Sequence, residues 1–153
     1  MLLTCPTAVI ETTLQNLREA GKLRRECVML WLGRRDGDQV RVVDAYRPLQ
    51  MAKTDLFHIN GAGMAALHQE LRRQRVMVAA QVHSHPMEAF HSKADDEWAI
   101  VRHEGALSLV VPNFASTTTL ANFLLQTKVF RYSDSARWLE VLSAQVQTCL
   151  RIP

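Results

Sequence analysis

The sequence predicts an α/β (α+β) domain in three layers, a mixed β-sheet flanked by helices. Three observations carry that expectation. Residues 27–32 (Cys-Val-Met-Leu-Trp-Leu) and the valine-rich residues 76–82 are short and mostly apolar, the pattern of strands covered on both faces. Segments with helical spacing alternate with such runs, which indicates helices packed on a sheet. The 153 residues are 48% apolar, and no linker, repeat or low-complexity tract divides them. A chain of that size can bury a core of its own, so residues 1–153 read as one domain.

Along the chain, Pro6 precedes Ile10, Leu14 and Leu17 at helical spacing, with Gly21 as the stop. Residues 27–32 form the first strand, and 33–38 (Gly-Arg-Arg-Asp-Gly-Asp) are turn chemistry. Val40, Val42, Val43 and Ala45 form the second strand, paired with the first as a hairpin. Arg47-Pro48 ends it, and a loop follows to about Lys53. Asn60 is the expected N-cap of a helix through Leu67 and Leu71. Residues 76–82 give a third strand, with His83 at its end. Residues 84–96 are polar, contain Pro86 and read as a loop. A short helix follows, from Lys93 or Asp95 to Val101. Leu107–Val111 is a strand stopped by Pro112. Residues 120–132 hold one or two strands, or a helix first. Residues 138–152 read as a strand leading into a helix, or as one helix.

The bulk properties narrow the function. Net charge is +3. The arginines cluster at Arg24-Arg25, Arg34-Arg35 and Arg72-Arg73 with Arg75, which suits solvated faces or an acidic partner. No basic stripe is interleaved with aromatics, so a nucleic-acid partner is not expected. Cys5, Cys27 and Cys149 are too few and too irregularly spaced for a disulfide framework or a cysteine zinc site, and fit a reducing cytoplasm. The start, MLLTCPTAVIETTL, lacks the parts of a signal peptide. No apolar stretch approaches the ~18 residues that span a membrane. A soluble cytoplasmic protein with no membrane partner is expected.

The chemistry lies in Val82-His83-Ser84-His85-Pro86 and Ser92-Lys93-Ala94-Asp95-Asp96. In extended backbone, residues two apart point to the same side, so His83 and His85 can reach one cation. Asp95, at a helix start beyond the loop, can add a carboxylate oxygen. Two nitrogens and one oxygen suit tetrahedral Zn2+ with a fourth position left for water. Such water still needs a carboxylate to take and deliver its proton. Glu26 is the candidate, because it stands where a charged segment enters an apolar strand and a buried carboxylate there requires a partner. Ser92 is the candidate donor to the oxyanion, or else a helix N-cap. Ser84 should point away from the histidines, and Cys27 away from Glu26; both read as structural.

These residues resemble the signature of the JAMM (MPN-plus, JAB-like) metalloproteases: His-Ser-His-Pro, a loop, Ser-x-x-Asp, and an upstream Glu opening a strand that ends in Leu-Gly. The resemblance covers most of the chain. It implies a cytidine-deaminase-like fold, with His83, His85 and Asp95 as zinc ligands, Glu26 as general acid/base and Ser92 as oxyanion helper. The implied activity is hydrolysis of isopeptide or peptide bonds after the tail of ubiquitin or a ubiquitin-like protein. Residues 81–112 look most like small bacterial members, encoded beside ubiquitin-activating (E1-like) and conjugating (E2-like) enzymes in defence-type systems. Those enzymes, and a ubiquitin-like protein or its conjugates, are the partners implied. The stretch between His85 and Ser92 is one residue shorter than the family usually has. That keeps Asp96 open as a ligand in place of Asp95, and lets His91 approach the site.

Other residues have plainer readings. His91 is a loop histidine that can touch substrate. His58, His68 and His103 are surface residues, and Trp31, Trp98 and Trp138 are core. Glu88 and Phe90 line the substrate groove or pack the loop. A zinc nucleobase deaminase would need His-x-Glu and a downstream Pro-Cys-x-x-Cys. His68-Gln69-Glu70 supplies only the first half. A non-catalytic MPN-type scaffold would have lost the ligands, whereas here the whole set is present.

Overall fold

The computed structural model describes residues 1–52, 57–97 and 99–153. Trp98 and the loop end at Lys53 lie outside the described residues. The chain begins with β1 (Leu2–Thr4) and α1 (Thr7–Lys22), then the hairpin β2 (Val28–Asp36) and β3 (Gln39–Tyr46). The small pair β4 (Met51–Ala52) and β5 (Phe57–His58) leads into α2 (Gly61–Gln74) and β6 (Met77–Ser84). Then come α3 (Lys93–Glu97), β7 (Leu107–Val111), α4 (Phe123–Gln126), β8 (Lys128–Tyr132), β9 (Trp138–Glu140) and β10 (Leu150–Arg151).

Eight strands form one mixed sheet in the order β10-β1-β3-β2-β6-β7-β8-β9, with β6 and β7 parallel near its centre. The uninterrupted apolar run of β2 is explained by burial on both faces. Cys27, Met29 and Trp31 pack with Ile10, Leu14 and Leu17 of α1. Val28, Leu30 and Leu32 turn the other way, onto Leu67 and Leu71 of α2. The mixed sheet flanked by helices is therefore the architecture expected. Among the described residues, no helix is long and apolar enough to cross a membrane.

Several boundaries differ from expectation for local reasons. β2 does not stop at Gly33. It runs on to Asp36 past a bulge, and the turn shrinks to Gly37-Asp38. Gly33 is needed there, because a Cβ would meet Val40 Cγ1 at 2.6 Å. Gly21 lies within α1, where its missing Cβ admits Phe114, which a Cβ would meet at 2.4 Å. The helix expected to reach Val101 ends at Glu97. Residues 138–152 open with a strand, β9, as one of the two readings had it, but the helix after it is only a 3-10 turn (Ser143–Thr148), and β10 follows. The N-cap holds as expected, with Asn60 Oδ1 accepting from Gly63 N at 2.9 Å.

The α1 layer is keyed to the sheet by a buried polar chain. Trp31 Nε1 donates to Thr13 Oγ1 at 2.9 Å, and Thr13 in turn donates to the Val9 carbonyl at 2.7 Å, all within the core. Thr13→Val keeps the shape and strands the indole N–H, so it should cost about 1–3 kcal/mol in urea unfolding. An unchanged midpoint would show that the contact contributes nothing.

Candidate metal centre

β6 delivers the two histidines. Val28 of β2 pairs with His83 on one side, and Val110 of β7 on the other. Beyond the strand, His85 N donates to Val111 O at 2.9 Å, and His85 O accepts from Phe114 N at 2.8 Å. Extended backbone thus persists through His85, and both imidazoles emerge on one face with ring centroids 5.1 Å apart. Ser84 points to the opposite face, where its Oγ accepts from Cys27 N at 3.3 Å. Cys27 is core, and burial pushes its thiol up to about 11.

Asp95 reaches the same point from α3. Its Oδ1 lies 3.1 Å from His83 Nε2 and its Oδ2 lies 3.2 Å from His85 Nε2. Ser92 N donates to Asp95 Oδ2 at 2.7 Å, and Asp95 N donates to Ser92 Oγ at 3.1 Å. This reciprocal cap fixes the carboxylate at the helix start. Burial alone would raise its pKa, but hydrogen bonds from His83 and His85 outweigh that and hold the carboxyl far below the usual range. Asp96 is 61% exposed and faces His91, whose Nδ1 lies 3.0 Å from its Oδ1. The one-residue shortening of the loop therefore leaves Asp95, not Asp96, in the cluster.

His83, His85 and Asp95 are all buried, and their ligand-type atoms lie within 4.8 Å of one another. Ligands 2.0–2.2 Å from a tetrahedral ion sit roughly 3.4 Å apart. The contacts above approach that spacing, so the donor set fits one divalent cation with little movement.

Glu26 is 3% exposed and lies beside this cluster. The ladder pairing Val28 with His83 continues through Cys27 and Ser84, which sets Glu26 across from His85. Glu26, His85 and Ser92 line one cleft of about 350 Å³ with Pro86, Met87, Glu88 and Phe90. Phe90 lies edge to face on the His85 ring at 4.6 Å. Because Ser92 Oγ serves the cap as an acceptor, its own O–H can still donate into the cleft.

His91 stands outside the ligand cluster. Its ring packs against Phe130 (5.0 Å), Trp138 (5.4 Å) and, farther off, His83 (6.2 Å). Burial and the nearby His83 lower its pKa below the usual imidazole value. Its Nε2 is 3.2 Å from Ser108 Oγ, which also accepts from Gln81 Nε2 at 3.2 Å, while Gln81 Oε1 accepts from Ile100 N at 2.9 Å. This network braces the segments on either side of α3. Gln81 and Ser108 escaped notice in the sequence. Their one signal is a polar residue inside an apolar run, Gln81 within residues 76–82 and Ser108 within Leu107–Val111. Trp138 is half-buried beside His91, whereas Trp31 is core. His68 is exposed. His103 is half-buried, its Nε2 3.0 Å from the Val78 carbonyl.

Two imidazoles and a carboxylate converging beside a cleft that holds a second carboxylate define a metal-dependent hydrolase type of site. Residues 7–120 match the prokaryotic homologs of the JAB domain, and the chain belongs to that family. It is 29% identical to the probable metalloprotease y4jG of Sinorhizobium fredii over 151 residues, covering 96% of this chain and 91% of that protein. Its fold is similar to the solution structure of protein DSY2949 from Desulfitobacterium hafniense. The TM-score is 0.70 at 20% identity, covering 99% of this chain and 93% of that one.

Proposed function

We propose that this chain is a zinc-dependent isopeptidase or peptidase that cuts after the C-terminal tail of a ubiquitin-like modifier, releasing conjugates or trimming precursors. The observation that carries the reading is the buried His83–His85–Asp95 cluster opening onto a cleft that also holds Glu26 and Ser92. Zinc bound there supplies Lewis acidity, activating water and polarising a carbonyl. Glu26 takes the proton of the attacking water and passes it to the departing amine. The Ser92 hydroxyl donates a hydrogen bond to the developing oxyanion, while its oxygen keeps the cap on α3. Pro86, Met87 and Phe90 give the cleft apolar surface that an extended peptide tail can cover. Ubiquitin-activating-like and conjugating-like enzymes of a bacterial, defence-type system are the proposed partners, and the cytoplasm the proposed compartment.

The test is cleavage of a ubiquitin-like modifier fused through its C-terminal glycine, by the zinc-loaded protein, with the new terminus read by mass spectrometry. One cut after the glycine supports the reading. A stable complex with the modifier and no cut would favour the scaffold alternative. Ser92→Ala should lower kcat roughly 10²- to 10³-fold, as for loss of one oxyanion donor. A change only in helix stability would leave Ser92 a cap and nothing more.

A further inference from the structure

β2 meets the catalytic cleft at a place where its neighbour β3 has already left. Leu30 pairs with Tyr46, so the same register carried two residues on would set Pro48 across from Val28. Proline has no N–H to give, and the chain turns away there. The Val28 N–H and C=O that face this gap are not abandoned. Val28 N donates to Gln50 Oε1 at 2.8 Å, and Gln50 Nε2 donates to Val28 O at 3.0 Å and to Pro48 O at 3.0 Å. Only one orientation of the amide satisfies all three bonds, so they fix it. A single side chain thus makes both bonds that a strand residue would have made.

On its other edge the same segment is held by β6. Ser84 N donates to Cys27 O at 3.1 Å, and Cys27 N to Ser84 Oγ at 3.3 Å. Cys27 and Val28 are clamped from opposite sides, and the residue immediately before them is Glu26. The clamp is itself seated. Gly63 of α2 lies so close to the chain that a Cβ would meet Leu49 O at 2.4 Å. Leu49 and Met51, on either side of Gln50, are 67% and 62% exposed, so burial does not secure the segment.

We infer that Gln50 is a positioning residue for the general acid/base: its side-chain amide replaces a β3 residue on the ladder at Val28 and so fixes the backbone that carries Glu26. The inference rests on the proposed role of Glu26. Gln50→Met keeps the length and removes the bonds. Gln50→Glu sets a carboxylate against the Val28 and Pro48 carbonyls. Both are assayed on the zinc-loaded full chain with the modifier fusion, in the parent and in a Glu26→Gln background, beside zinc content and Val28 amide exchange by NMR.

Both variants should keep one zinc per chain and lose roughly 10- to 100-fold in kcat with little change in KM, as for a misplaced catalytic group. In the Glu26→Gln background the same changes should cost nothing further, because the group they position is gone. The Val28 amide should exchange faster, while Leu30, on the intact ladder, does not change. Equal losses in both backgrounds, or loss of zinc, would overturn the inference. If the parent itself cuts no fusion, the proposed reaction fails and the exchange data alone decide: an unchanged Val28 rate in Gln50→Met overturns the clamp.

Discussion

Glu26→Gln is expected to lower cleavage of a ubiquitin-like fusion by roughly 10²- to 10⁴-fold, the span of a positioned general acid/base, while one zinc per chain is retained. The amide keeps the size of the side chain and much of its hydrogen bonding, but it cannot take a proton from water. Glu26 lies in the cleft beside His85 and Ser92 rather than among the ligand atoms, so metal content should not follow rate. KM should change little, because the substrate's tail does not depend on that proton. Metal content and turnover measured on one preparation separate the roles. Loss of zinc together with activity would make Glu26 a ligand. Full activity would remove it from the mechanism.

Asp95→Ala is expected to abolish both zinc binding and turnover, and to lower stability. The change removes one proposed ligand, the partner of both imidazoles, and the carboxylate that accepts from Ser92 N. The remaining imidazoles are buried, at 0% and 3% exposure. Zinc present at about 100 times its dissociation constant stabilises the parent by about 2.7 kcal/mol. Chelation should therefore lower the parent's unfolding midpoint and leave that of Asp95→Ala where it is. A variant that still bound zinc at parental strength would move the ligand role to Asp96 or His91, against the convergence of Asp95 on the two imidazoles.

The part of the site that depends on local backbone was legible in the sequence. His83 and His85 share a face because they continue an apolar strand with a period of two, and Cys27 and Ser84 face away by the same rule. Ser92 carried two readings, cap and donor. The structure shows the cap and leaves the hydroxyl proton able to donate, so the two are compatible. The sheet centre was legible because both its faces are buried. Its edges were not. β1 and β10 span three and two residues, too few to show a period, and they exist through parallel pairing, β10 on β1 and β1 on β3. His91 could not be placed because its ring packs on Phe130 and Trp138, which lie in strands far along the chain from it. Gln50 was invisible for a different reason: a side chain there does the work of backbone, and no periodicity reports that.

The most direct measurement is anomalous diffraction at the zinc edge from crystals of the loaded protein. One peak about 2.0–2.2 Å from His83 Nε2, His85 Nε2 and an Asp95 oxygen is the expected result. No peak after zinc soaking, or a peak coordinated by His91 and Asp96 instead, would contradict the assignment of the metal centre and the mechanism built on it.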